Sequence, residues 1–221
     1  MGGHIPVVAV DGPAGAGKGT VSRALARRLG WHYLDSGAIY RALAVAVQDA
    51  GLGLADIDGL AALASRMDLR FEPGDEPKVV LGGQDISGRI GTEACGNLTS
   101  KIAALGPVRQ ALLQKQREFR MAPGLVADGR DMGTVVFTDA ACKIFLTASA
   151  EERARRRHKQ LKEKGIDVSL SSLTKEIEER DRRDSERSIA PLKMAEDAVL
   201  VDSSTMSIAE VIDRCLGLIE T

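Results

Sequence analysis

The chain has 221 residues, 44% of them apolar, enough for one globular domain with a buried core and room for a small insert. Its 30 Lys and Arg against 31 Asp and Glu leave a formal charge of -1, which argues against a mainly electrostatic binder of nucleic acid or anionic membranes. The 3 cysteines (Cys95, Cys142, Cys215) lack metal-ligand spacing, and neither a membrane-length apolar run nor a signal-peptide pattern is present, so a reducing, cytoplasmic setting is expected.

In chain order, residues 5–10 read as a buried strand, followed by "DGPAGAGKGT" and a helix with Val21, Leu25 and Leu29 on one face. Glycines at such a turn allow unusual dihedrals and leave backbone amides bare, and the following helix adds its positive end. Gly12, Pro13, Ala14, Gly15, Ala16, Gly17, Lys18, Gly19 and Thr20 thus form a cradle for the phosphates of a nucleoside triphosphate. The usual pattern places Ser or Thr directly after the lysine as a Mg²⁺ ligand; here Gly19 intervenes and the hydroxyl is Thr20. A plain Gly-rich turn is the bland alternative.

The second strand, "HYL" at His32, leads into "DSGAIYR" and a helix with Ile39, Leu43 and Val47 on one face. Ser36 and Arg41 offer a hydroxyl and a planar fork suited to phosphate, although Asp35 or Ser36 capping a helix beside a solvated Arg is the simpler reading. Residues 68–90 break the alternation with short apolar pieces between Pro-Gly and Gly-Gly signals: a small antiparallel insert, or else a long surface loop. Farther on, "GLVAD" at Gly124 is a third strand, and "GRDMG" places Arg130 and Asp131 at its carboxyl end, where open α/β sheets bind ligands.

"KIFLTA" at Lys143 and "AVLVD" at Ala198 complete the strands, with capping-box spacing at Ser149/Glu152 and Ser207/Glu210. Between them, residues 153–164 hold seven basic residues and one acid, with Arg153 and Arg157 on one helix face. A solvated basic helix or an RNA-contacting patch is the alternative there, but no aromatic residues are interleaved for base stacking. Arg180, Asp184 and Arg187 fall at spacings of four and three, one stripe of a helix end. The overall expectation is an α/β fold of P-loop NTPase type: a five-stranded parallel sheet flanked by helices, with a small antiparallel insert and a short helical lid.

The variant "GKGT", with "LDSGAIYR", "ADGRDMGTVVF", "SAEERARRR" and "ERDRRDSERSIAPL", resembles the bacterial cytidylate kinases, a nucleoside monophosphate kinase family, through nearly the whole chain. The resemblance implies a single domain over 1–221, with a core of 1–64, 92–150 and 188–221, a monophosphate-binding insert near 65–91, and a lid and substrate segment near 151–187. It implies phosphoryl transfer from ATP, with Mg²⁺, to CMP or dCMP in pyrimidine metabolism. Lys18 and the loop amides would hold the donor phosphates, and Arg153 and Arg157 would close from the lid. Arg41, Arg130 and Arg187 would surround the acceptor phosphate, while Arg180 and Asp184 hold the sugar, with Asp181 a near competitor. Ser100, Arg109 and Asp131 would read the base.

Cytosine chemistry agrees with that assignment, since its N4 amine suits a carboxylate and its O2 and N3 acceptors suit an arginine. By spacing alone, Arg109 reads as a solvated helix residue. His4, His32 and His158 form no cluster and read as incidental. Gly91 and Cys95 depart from the family pattern, where an arginine and a branched apolar residue are usual. A monomer acting on small molecules, without nucleic acid or membrane partners, is the expectation. The rivals are a related kinase for UMP or another small acceptor, and a nucleotide-binding regulatory switch. The absence of an Asn-Lys-x-Asp string weighs against the switch.

Overall fold

The computed structural model describes residues 5–72, 78–163 and 165–219, so His4, part of the expected insert and Lys164 of the charged segment lie outside the described residues. Its elements run β1 (Val7–Asp11), α1 (Lys18–Leu29), β2 (His32–Asp35), α2 (Ser36–Asp49), α3 (Ile57–Arg66), β3 (Leu69–Glu72), β4 (Lys78–Leu81) and β5 (Gln84–Asp85). Next come α4 (Ser87–Ile90), α5 (Glu93–Ile102), α6 (Gly106–Arg117), β6 (Leu125–Gly129) and a π-helical turn, Met132–Val136. The chain continues through β7 (Cys142–Thr147), α7 (Ala150–Glu163), α8 (Leu170–Ser185), β8 (Val199–Asp202) and α9 (Ile208–Ile219). Two compact units result: Met1–Leu34 with Phe119–Thr221, and Asp35–Glu118.

The first unit is built on the five-stranded parallel sheet, in the order β2-β6-β1-β7-β8. Placing β1 in the middle explains its composition: every residue of Val7–Asp11 is buried, and such a strand needs apolar side chains on both faces. Asp11 is the exception. Its neighbours across the sheet are Gly129 on β6 and Phe145 on β7, so the carboxyl ends of three strands lie side by side. On one face α1 buries Val21 and Leu25 in a cluster with Val10, Val126, Leu146 and, from α9, Val211 and Cys215. Each such aliphatic side chain contributes about 1.5–3 kcal/mol by leaving water.

The second unit packs around α2, which buries Ile39, Leu43 and Val47 as their spacing predicts, and also Ala38, Tyr40, Ala42, Ala44 and Val45. A helix apolar nearly all round belongs in an interior. The expected antiparallel insert is present as a three-stranded sheet, β3-β4-β5, with Phe71 opposite Val79. Gly82 and Gly83, at φ 54 and 81, make the tight turn between β4 and β5 that two-residue hairpins need. Where the sequence departs from the family, Gly91 ends α4 with only Gly88 O at 4.0 Å from a would-be Cβ, while Cys95 is buried with its Sγ 3.6 Å from the Arg41 carbonyl.

The Ser207/Glu210 capping box forms in both directions, at 2.8 and 3.3 Å. Ser149 and Glu152 form only half of theirs. Ser149 accepts from the Glu152 N–H, but its own N–H donates to Ser204 Oγ, because the Glu152 carboxylate is engaged by Arg155 and Arg156.

Candidate active site: a phosphate cradle and its arginines

The cradle begins where β1 ends. Gly12 sits at φ 147, and a Cβ there would lie 1.9 Å from the carbonyl oxygen of Leu146 on β7. Only glycine lets the chain leave a central strand so close to its neighbour. Lys18 folds back into the loop, its Nζ donating to the Pro13 carbonyl at 2.9 Å, with the residue 6% exposed. Gly17 caps α1 with no side-chain hydrogen bond, leaving the first-turn amides to a ligand anion. Thr20 is exposed on that first turn.

Gly19, the residue that breaks the common loop pattern, has a local explanation. A Cβ at this position would lie 3.3 Å from Arg23 Nη1, 3.5 Å from Tyr33 Oη and 3.6 Å from Asp128 Oδ2. Tyr33 donates to Asp128 at 2.6 Å, and Arg23 lies over the tyrosine ring. A side chain at position 19 would press on this cluster, most closely on the end of Arg23, and the first hydroxyl after Lys18 is that of Thr20.

The charged segment forms α7 and α8. Arg153 is 4% exposed and reaches the cradle directly, donating from Nη1 to the Ala14 carbonyl at 3.0 Å. Nε donates to Ala148 O, and the fork grips Asp181 at 3.0 and 2.5 Å. Arg157, four residues on, is half-buried. Arg156 was not picked out by the sequence reasoning. Its Nη1 comes within 4.0 Å of a would-be Cβ on Gly17, and it donates to Ser203 Oγ and O. The three-residue offset from Arg153 is the signal that would have found it.

At the end of β6, Arg130 and Asp131 do not form the surface ion pair that adjacent opposite charges usually make. Arg130 donates from Nε to Asp184 at 2.9 Å, and Arg187 takes the other Asp184 oxygen. Asp184 is 2% exposed; burial raises its pKa, but the charges and hydrogen bonds of Arg130 and Arg187 outweigh that and hold it at about 2. Arg187 lies beyond the helix rather than on its stripe: α8 ends at Ser185, where the Glu186 N–H closes on Arg182 O and the Leu192 N–H returns to Asp184 O. Arg180 is half-buried on α8, and Asp131 is 3% exposed.

Asp11 accepts from the Met132 and Gly133 amides at 2.8 Å each, with its pKa raised by burial to about 6.

In the second unit Asp35, not Ser36, caps α2, accepting from the Ala38 N–H at 2.9 Å. Ser36 instead donates to Gln116 Oε1 at 2.6 Å, and Gln116 Nε2 donates to Leu112 O. Arg41 donates to Ile90 O at 2.5 Å. Ser100 is buried on α5. Arg109 is 8% exposed, contrary to the solvated reading: it donates to Ala103 O at 3.1 Å and lies over the Tyr40 ring. Arg109, Leu112 and Gln116 share the buried stripe of α6, so helical period could have exposed both polar members.

A profile of the cytidylate kinase family matches residues 8–221. The chain belongs to the cytidylate kinase family. It is 65% identical over 217 residues to the cytidylate kinase of Methylococcus capsulatus, covering 98% of each chain. It is 57% identical over 219 residues to that of Pseudomonas aeruginosa, covering 98% of this chain and 96% of that one. Among solved structures, an uncharacterized protein from Eubacterium ventriosum superposes with a TM-score of 0.51 at 10% identity, over 98% of this chain and 99% of the other, a likeness of fold alone. The cytidylate kinase family is thus seen here with Arg153 seated on the cradle and Asp184 between two guanidiniums.

Proposed function

We propose that the protein transfers the γ-phosphoryl group of ATP to CMP or dCMP, yielding ADP and CDP or dCDP. Family membership supports the reaction. The observation that carries the site is Asp131, an almost fully buried carboxylate at the carboxyl end of β6, the strand next to the one that feeds the phosphate cradle. A buried carboxylate accepts from the N4 amine of cytosine and opposes the O4 of uracil.

The cradle amides and Lys18 hold the donor phosphates, and an acceptor phosphate oxygen attacks the γ-phosphorus as the bond to the β–γ bridging oxygen breaks. The transition state is loose, so positioning and charge stabilisation carry the rate. Arg41, Arg130 and Arg187 take the acceptor phosphate together with Ser36. Ser100 and Arg109 face the O2 and N3 side of the base. Arg180 and Asp184 take the sugar hydroxyls, and Arg153 and Arg157 close on the transferring group.

The donor set fits Mg²⁺ of the kind that binds with its substrate: one exposed Thr20 hydroxyl at the cradle, and no cluster of three His, Cys, Asp or Glu side chains among the described residues. Thr20 would hold the ion, directly or through water, and the ion supplies neutralisation of phosphate charge. Among the described residues no helix is long and apolar enough to cross a membrane. We place the protein in the cytoplasm as a monomer acting on small molecules.

A coupled assay over CMP, dCMP, UMP and AMP tests this reading, with turnover of CMP or dCMP well above UMP as the expected result. Asp131→Ala narrows that preference. Equal use of CMP and UMP by the unaltered enzyme would sink the cytosine assignment.

A further inference from the structure

Asp11 occupies the last position of the central strand, a place where an unpaired carboxylate is costly. Its two oxygens accept from consecutive amides, Met132 and Gly133, at 2.8 Å each. Those amides open the π-helical turn, whose own N-cap, Asp131, makes no side-chain cap bond. Asp11 therefore supplies from a different strand the cap that the turn lacks. A Cβ on Gly133 would meet Lys143 Cδ at 3.1 Å and Asp11 Oδ2 at 3.4 Å, so glycine keeps the backbone open to the carboxylate. On its other side Asp11 adjoins Gly12, wedged against Leu146. One side chain thus ties the start of the donor cradle to the loop that carries Arg130 and Asp131.

We infer that Asp11 is a positioning residue for the acceptor: by holding the Met132 and Gly133 amides it sets where Arg130 and Asp131 stand relative to the donor cradle. The inference rests on the reading that Arg130 and Asp131 bind the monophosphate. The charges around Asp11 agree with a residue retained for a site. Lys18 on α1 favours its ionised form, while burial and Asp131 oppose it. Lys143 on β7 is taken up by Asp197 and the Thr138 carbonyl, and Asp128 on β6 accepts from Tyr33. With its pKa raised from 3.8 to about 6, ionised Asp11 weakens folding as pH rises through that interval.

The test has two arms. In the ligand-free enzyme, amide NMR resonances of Met132 and Gly133 should titrate together with a midpoint near 6, and Asp11→Asn should abolish that step. In kinetics, Asp11→Asn should raise the KM for CMP about tenfold, the worth of one hydrogen bond to a charged group. The KM for ATP should change by less than about twofold, because only the acceptor loop loses its tether. Amides that stay silent, a step that persists in Asp11→Asn, or equal rises in both KM values would overturn the inference. If the variant folds poorly, silent Met132 and Gly133 amides in the wild-type titration still overturn the inference. Arg130→Ala, run in parallel, separates the two readings. If it leaves the CMP KM unchanged, the acceptor-site reading fails. If it is defective while Asp11→Asn is normal, only the role of Asp11 is lost.

Discussion

Replacing Asp184 with asparagine keeps the shape of the side chain and removes its charge. The carboxylate is 2% exposed, and it faces the Arg130 and Arg187 side chains, 19% and 6% exposed. A pKa moved from 3.8 to about 2 means that the folded state favours the ionised form by roughly 2–3 kcal/mol, at ~1.4 kcal/mol per pH unit. The loss of contacts to the two half-buried guanidiniums is already part of this figure, and the cost of breaking a buried ion pair, about 3–5 kcal/mol, sets its upper end. The expected loss for Asp184→Asn at pH 7 is therefore roughly 2–4 kcal/mol. Urea unfolding followed by fluorescence of Trp31, the single tryptophan, measures it. The pH dependence fixes the sign. A depressed carboxylate pKa gives stability that is fully present above the unfolded value of 3.8 and is lost as pH falls through about 2. The gap between wild type and variant should hold level from about pH 5 to 8 and narrow below about pH 4. A gap under about 0.5 kcal/mol at pH 7, or one that widens in acid, would refute this account of the cluster.

Three further substitutions test other parts of the molecule. Gly12→Ala drives a methyl into the Leu146 carbonyl and should cost roughly 3 kcal/mol or more, lowering Tm by about 6–12 °C and abolishing detectable ATP binding by calorimetry. Gly53→Ala, with nothing within 4 Å of the new carbon, should leave both unchanged. Gln116→Leu removes the acceptor of the Ser36 proton; steady-state kinetics should show an altered KM for CMP, about three- to tenfold, with the ATP KM unmoved.

The parts of the fold visible in the sequence were those written in local pattern. Buried strands announce themselves as apolar runs, α1 by its 3.6-residue period, and the β4–β5 hairpin by Gly82 and Gly83. The cradle was equally legible, because its function requires glycines at fixed spacing. What stayed hidden depends on partners distant in the chain. Asp181 and Asp184 stand three apart on one helix, yet Arg153 takes the first while Arg130 and Arg187 take the second. No spacing rule distinguishes them, since the choice is made by residues 28 and 54 positions away. Gln116 disappears among the polar residues of "LQKQR", although it lies on the buried side of α6. Asp11 reads as the end of a strand until the π-helical turn, which has no sequence signature of its own, is seen against it.

The seating of Arg153 bears on turnover. A guanidinium has five N–H groups, and four of these are engaged here, by Ala148 O, Ala14 O and both oxygens of Asp181. Turning such a side chain towards a phosphoryl group is an exchange of one anion for another, not the capture of an anion by an idle cation. Its net driving force is only the difference between two charge-assisted bonds, smaller than either bond alone. An enzyme that must let go of two charged products each cycle benefits from that smaller difference. On the proposed reading of Arg153 as a residue that closes on the transferring group, Asp181 would take the arginine back when the diphosphates leave.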